Sequence, residues 1–240
     1  MAEEAPRTPT SSSSSTASSS PSSGGLAPLT PASERSISRG CSKLYFRHGP
    51  VGCAKTLNLL AVAHNYEQQG KVVMVLKPAC DTRFGAARVE SRAGVSRDAD
   101  LLLDNDTRLD TRFFRDCDCV LVDEAQFLSA AVVDQLRELT HTCGVPVICY
   151  GLRTDFKTRL FEGSKRLLEL ADAIEEVKTT CNYCNKKGVL NLKLVDGEAT
   201  DSGAQVELGC EELYKSVCYS HYAAMIEASS SAGCCPADSP

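Results

Sequence analysis

The sequence lacks an apolar run near the roughly 20 residues that cross a bilayer, a block of lysine and arginine, and any internal repeat. The first absence argues against a membrane-spanning helix. The second, with a net charge of −5, argues against a nucleic-acid polymer as partner. The N-terminus, "MAEEAPRTP", is acidic and has no apolar core of the kind a secretory signal carries, so a cytoplasmic location is expected. Residues 1–40 also lack any apolar run long enough to bury, and 11–23 read "SSSSSTASSSPSS". Such a segment cannot offset its own ordering entropy and is expected to be a disordered tail, as is 229–240.

Cysteine is plentiful, with 13 in 240 residues. Without a signal peptide a disulfide framework is not expected. Cys41, Cys53, Cys80, Cys117, Cys119, Cys143, Cys149, Cys210, Cys234 and Cys235 read as free thiols. The other three have ligand spacing.

Between the tails the pattern alternates. "KLYFRH" (43–48), "KVVMVLK" (71–77), "CVLVDE" (119–124) and "VPVICYG" (145–151) read as strands, the last three as apolar runs buried on both faces. "TLNLLAVAHNYEQQG" and "SAAVVDQLRELTHTCG" have helical spacing and stop at glycine. Strand, helix, strand, helix, strand implies right-handed crossovers and a parallel sheet, an α/β fold over 41–172. From about 173 short strands and a cysteine pair replace that pattern, so 173–228 is expected to form a second, small module.

The first strand runs into "GPVGCAKT" (49–56), close to the phosphate-binding loop G-x-x-x-x-G-K-[ST]. Gly49, Pro50, Val51, Gly52, Cys53 and Ala54 would form the cradle, with backbone N–H groups at the helix start facing phosphate oxygens. Lys55 would neutralise the outer phosphates and Thr56 coordinate magnesium. Ala54 stands where the motif has its second glycine. If that residue is left-handed, alanine costs about 1–2 kcal/mol. The competing reading is an ordinary strand-to-helix junction with a chance Lys-Thr.

"CVLVDEAQF" ends an apolar strand in two acids. Asp123 there would hold magnesium through water. Glu124, expected to point the other way along the pleat, could accept a proton from a substrate hydroxyl. The alternative is a pair of helix-starting acids. Two C-x-x-[CH] pairs, Cys181 with Cys184 and Cys218 with His221, supply four soft ligands for one tetrahedral zinc. The alternative is two unrelated thiol pairs.

Taken together, "KLYF", "DTRFGA", "VESRAG", "CVLVDEAQFL", "VPVICYGLRTDF", "LFEGS" and "YKSVCYSHY" resemble the zinc-containing cytosolic thymidine kinases, and the enterobacterial branch most closely. The likeness covers about residues 41–224. It implies a RecA-like P-loop domain with helices on both faces of its sheet, and a zinc module carrying a lasso loop. It implies ATP-dependent phosphorylation of thymidine, and of deoxyuridine, with catalytic magnesium and structural zinc. Glu124 then corresponds to the catalytic base. Asp81, Thr82, Arg83, Asp123 and Gln126 fall on the ATP side. Leu152, Phe156 and Phe161 fall on the thymine pocket, and Gln205, Val206, Glu207, Leu208, Gly209 and Tyr214 on the lasso. The resemblance also implies a homotetramer or homodimer and feedback inhibition by dTTP. Ala54 leaves open a weakly active or non-catalytic paralogue, and the two modules alone would also fit a generic ATPase with a zinc interaction module.

Overall fold

The strand β1 (Leu44–His48) lies inside a six-stranded sheet because its alternate residues Leu44 and Phe46 are fully buried. The computed structural model describes residues 40–205 and 214–232, all within one unit, Ser38–Pro240. The expected tails 1–40 and 229–240 fall largely outside the described residues. From β1 the chain passes through residues 49–54 into helix α1 (Lys55–Gln68) and strand β2 (Val73–Pro78). A short antiparallel pair follows, β3 (Arg88–Glu90) and β4 (Ser96–Asp98), then β5 (Leu101–Leu103). Next come β6 (Cys119–Val122), α2 (Ala130–Thr142), β7 (Val147–Gly151), α3 (Glu162–Leu170) and β8 (Ala173–Glu176).

The sheet order is β5-β2-β6-β7-β1-β8, and every neighbouring pair is parallel. Parallel pairing needs crossovers, and the helices that supply them cover both faces. On β6, Val120 and Val122 meet α2 and α3 through Val132, Leu136 and Leu167. Cys119 and Leu121 meet α1 through Leu59, Leu60 and Ala63 on the other face. The sequence pattern changes near 173, yet β8 still belongs to this sheet, because Tyr45–His48 pair with Ala173–Glu176. β5 and α3 are further elements that the apolar periodicity did not single out: one is three residues long, the other nine.

The remaining strands are β9 (Thr179–Thr180), β10 (Lys187–Gly188), β11 (Leu190–Val195), β12 (Glu198–Thr200) and β13 (Tyr214–Val217). β9 and β10 form a hairpin, while β12-β11-β13 form an antiparallel sheet. Helix α4 (Tyr219–Ala232) packs Tyr222, Met225 and Ile226 on the core of that sheet, Leu190, Leu192 and Leu194. Among the described residues no helix is long and apolar enough to cross a membrane.

Candidate active site and metal centre

The carboxyl ends of β1 and β6 bring the phosphate loop and the acidic pair together, with β7 between the two strands. In the loop, Gly52 has φ 76° and Ala54 φ 64°, ψ 31°. Ala54 therefore adopts the left-handed conformation for which the motif uses glycine. It is also the N-cap of α1, where no side chain caps the helix and no acid lies in the first turn. The first N–H groups of α1 are thus left to an external anion. Lys55 is buried, and its Nζ donates to the carbonyls of Gly49 at 3.0 Å and Pro50 at 2.9 Å, with Cys53 Sγ at 3.7 Å. Gly49 has no room for a side chain, since a Cβ would stand 2.5 Å from the Val177 carbonyl.

The expectation that Glu124 points away from Asp123 is corrected. The strand stops at Val122, and Glu124 turns left-handed (φ 48°, ψ 37°) at the start of a 3₁₀ turn, Ala125–Phe127. That turn brings both carboxylates to one cavity. A non-glycine residue in this region is strained and persists only where its surroundings hold it. Gly163 of α3 packs so closely behind the turn that a Cβ would lie 2.5 Å from the Ala125 carbonyl.

Glu124 is held on both oxygens. Arg83 Nη2 donates to Oε1 at 2.6 Å and Gln126 Nε2 to Oε2 at 2.5 Å, while Gln126 Oε1 accepts the Leu152 N–H at 3.0 Å. Arg83 also pairs with Asp81, Nε to Oδ1 at 2.7 Å, and Lys77 Nζ lies 3.3 Å from Asp81 Oδ2. Thr56 Oγ1 donates to Asp123 Oδ2 at 3.0 Å. Burial pushes both acids of the pair upward. At Glu124 the charges of Arg83 and Lys55 outweigh it and hold the carboxyl below the usual glutamate range. At Asp123 burial and the neighbouring Glu124 charge prevail and raise it.

The cavity measures about 400 Å³. Val51, Gly52, Ala54, Lys55, Thr56 and Asp123 line it, as do Asp81 and Arg83 with Glu124 and Gln126. Leu152, Phe156 and Phe161 form the apolar wall, joined by Gln205 and Tyr214. Gly49, Pro50, Cys53 and Thr82 lie outside the lining, the first three in contact with the Lys55 ammonium. Val206, Glu207, Leu208 and Gly209 lie outside the described residues. Phe127 and Asn191 also line the cavity, and sequence reasoning missed both. Phe127 packs edge-on against Phe161 with centroids 5.9 Å apart. Its signal was an aromatic residue directly after the acidic motif. For Asn191 the signal was one amide within the apolar "VLNLKLV".

The second set of ligands converges at the other end of β13. Cys181 and Cys184 sit in the β9–β10 turn, Cys218 at the β13–α4 junction and His221 in the first turn of α4. One ligand atom from each lies within 4.8 Å of all the others. Cys184 and Cys218 sulfurs are 3.8 Å apart, and His221 Nδ1 is 3.3 Å from Cys218 Sγ and 3.6 Å from Cys181 Sγ. Tetrahedral zinc, with bonds of about 2.3 Å to sulfur and 2.0 Å to nitrogen, sets ligand edges near 3.5–3.8 Å. The donor set and its spacing fit that ion. The Tyr183 N–H points at Cys181 Sγ at 3.4 Å, a contact that favours thiolate.

A parallel sheet with an uncapped helix behind a lysine-bearing loop, and an acidic strand end beside it, defines a P-loop phosphoryl-transfer enzyme. Residues 42–222 match the family model described as "Thymidine kinase". The thymidine kinase of Lactiplantibacillus plantarum is 43% identical over 188 residues, covering 75% of this chain and 95% of that protein. That of Streptococcus pyogenes is 43% identical over 185 residues, covering 75% and 97%. The chain belongs to the thymidine kinase family, an ATP-dependent kinase family. These relatives carry the family and not the narrower likeness to the enterobacterial branch. Among solved structures, the Pif1 helicase of Candida albicans matches with a TM-score of 0.31 and 12% identity, over 57% of this chain and 36% of that one. That likeness carries no argument.

Proposed function

We propose that the protein transfers the γ-phosphoryl group of ATP to the 5′-hydroxyl of thymidine, giving dTMP and ADP, and accepts deoxyuridine in the same way. One observation carries this reading. Glu124 lines a single cavity together with the loop residues Lys55 and Thr56 and with the apolar side chains Leu152, Phe156 and Phe161. The nucleoside base would lie against Leu152, Phe156 and Phe161, beside Gln205 and Tyr214, the described residues of the expected lasso. Its 5′-oxygen would reach Glu124, which takes the hydroxyl proton as the new O–P bond forms. The bond from the γ-phosphorus to the ADP oxygen breaks in the same displacement. Lys55 and the α1 N–H groups would neutralise and orient the phosphates, and Arg83 would hold Glu124 ionised.

Thr56 and Asp123 would hold magnesium, which when bound supplies charge neutralisation between the outer phosphates. Zinc on Cys181, Cys184, Cys218 and His221 would be structural, since four protein ligands close the site. The reading extends to an ATP-binding domain and a zinc-binding lasso module, with the boundary expected at 172/173 moved to the end of β8, since β8 pairs with β1. It further includes a cytoplasmic homotetramer or homodimer under feedback inhibition by dTTP. A non-catalytic paralogue is not favoured, because Ala54 adopts the loop conformation and the acids are in place. A generic ATPase leaves the aromatic wall unexplained. The test is purified protein with ATP, magnesium and each deoxynucleoside in turn. Equal amounts of dTMP and ADP are expected with thymidine, and ADP without dTMP overturns the reading.

A further inference from the structure

β11 reads Leu-Asn-Leu-Lys-Leu-Val, and its first five residues are buried. Period-two alternation sends Leu190, Leu192 and Leu194 to the core beside the cysteines, so Asn191 faces the opposite side. Asparagine is a poor strand former, and a buried amide must be hydrogen-bonded to be tolerated. Asn191 is 4% exposed. Its Oδ1 accepts the N–H of Val51 at 2.8 Å, and its Nδ2 donates to the carbonyl of Thr154 at 3.0 Å. Directly opposite it on β13 stands Ser216. The Ser216 hydroxyl donates to the carbonyl of the same Val51.

Two side chains from the antiparallel sheet therefore grip both backbone polar groups of one phosphate-loop residue. One of them also grips the loop between Leu152 and Phe156. Both Val51 and Asn191 line the cavity.

We infer that Asn191 and Ser216 are positioning residues that set the phosphate loop and the base-side loop in register, so that the two substrates meet at the distance the transfer requires. The inference rests on the kinase reading above. Asn191 acts on both loops and Ser216 on one. Each hydrogen bond lost in a buried setting is worth roughly a factor of ten or less in binding.

The experiment is steady-state kinetics on full-length protein with ATP and thymidine, for the parent, Asn191→Asp, Asn191→Leu, Ser216→Ala, Ser216→Thr and the double variant Asn191→Leu/Ser216→Ala. Zinc content and the unfolding midpoint are measured on each. Parent protein that makes no dTMP fails the kinase reading; active parent protein makes the variants informative. In zinc-loaded, folded protein, Asn191→Leu is expected to raise the KM of both substrates about tenfold. Ser216→Ala should give a smaller rise, and Ser216→Thr, which keeps the hydroxyl, should restore it. Because both side chains act through Val51, the double variant should lose less in kcat/KM than the product of the singles. Asn191→Asp keeps the acceptor for Val51 but loses the donor to Thr154, so its rise should fall mainly on thymidine. If Asn191→Leu does not fold, Asn191→Asp and Ser216→Ala carry the test. Unchanged KM values in these two, or losses that simply multiply in the double variant, overturn the inference.

Discussion

Arg83 Nη2 lies 2.6 Å from Glu124 Oε1, and the same guanidinium spans back to Asp81 through its Nε at 2.7 Å. The carboxylate proposed as the base is thus locked to a cation in a site whose burial would otherwise favour its neutral form. That cation is in turn fixed by a second acid.

Glu124→Gln is expected to retain the fold and ATP binding and to lose most turnover. The amide keeps the shape and removes the proton acceptor, a role usually contributing about 10²–10⁴-fold. Single-turnover kinetics with thymidine measure it, and a parent-like rate would assign the base elsewhere.

Asp81→Asn is expected to destabilise the protein by about 3–5 kcal/mol at neutral pH, because Lys77, 1% exposed, loses its carboxylate. Burial pushes the Asp81 carboxyl up, but Arg83 and Lys77 prevail and hold it below the usual aspartate range. A depressed carboxylate stabilises the fold above its unfolded value and loses that contribution as pH falls through the folded one. The gap between parent and variant should therefore stay constant above about pH 5 and narrow as pH falls below it, read from urea unfolding across pH.

Ala54→Gly should tighten ATP binding by up to about tenfold. The left-handed backbone at φ 64° costs alanine roughly 1–2 kcal/mol, part of which is relieved only by glycine. Lys55→Ala should instead abolish turnover. Calorimetric titration of ATP separates the two, and an unchanged affinity in Ala54→Gly would show the strain to be met equally in the free protein.

One zinc per chain is expected by elemental analysis of fresh protein. Cys184→Ser should lower both the metal content and the unfolding midpoint, because the ion would hold the β9–β10 turn to α4. A metal-free protein of unchanged stability would contradict the assignment.

Much of this was legible in the sequence because it is written in contiguous letters. The phosphate loop, the acidic strand end and the two knuckles each occupy a few adjacent residues, and local spacing fixes their geometry. What the sequence hid depends on pairing between distant segments. β8 reads as the start of a new pattern, yet hydrogen bonds to β1 place it in the main sheet. Glu124 reads as the next residue of a strand, and only the left-handed turn, backed by Gly163, brings it beside Asp123. Asn191 meets Val51 across 140 positions, a separation no local period reports.

Lys55 carries a last consequence. Its ammonium is already satisfied by two carbonyls of its own loop, at 3.0 and 2.9 Å. The loop thus contains its own competitor, and an incoming anion gains only the difference between its bonds and those two. A singly charged ion, or one reaching the lysine alone, gains little from that exchange. A polyphosphate that meets the α1 N–H groups at the same time gains enough to complete it. On the proposed reading the loop would sort anions by charge and reach, and anions of low charge would be weak rivals for it.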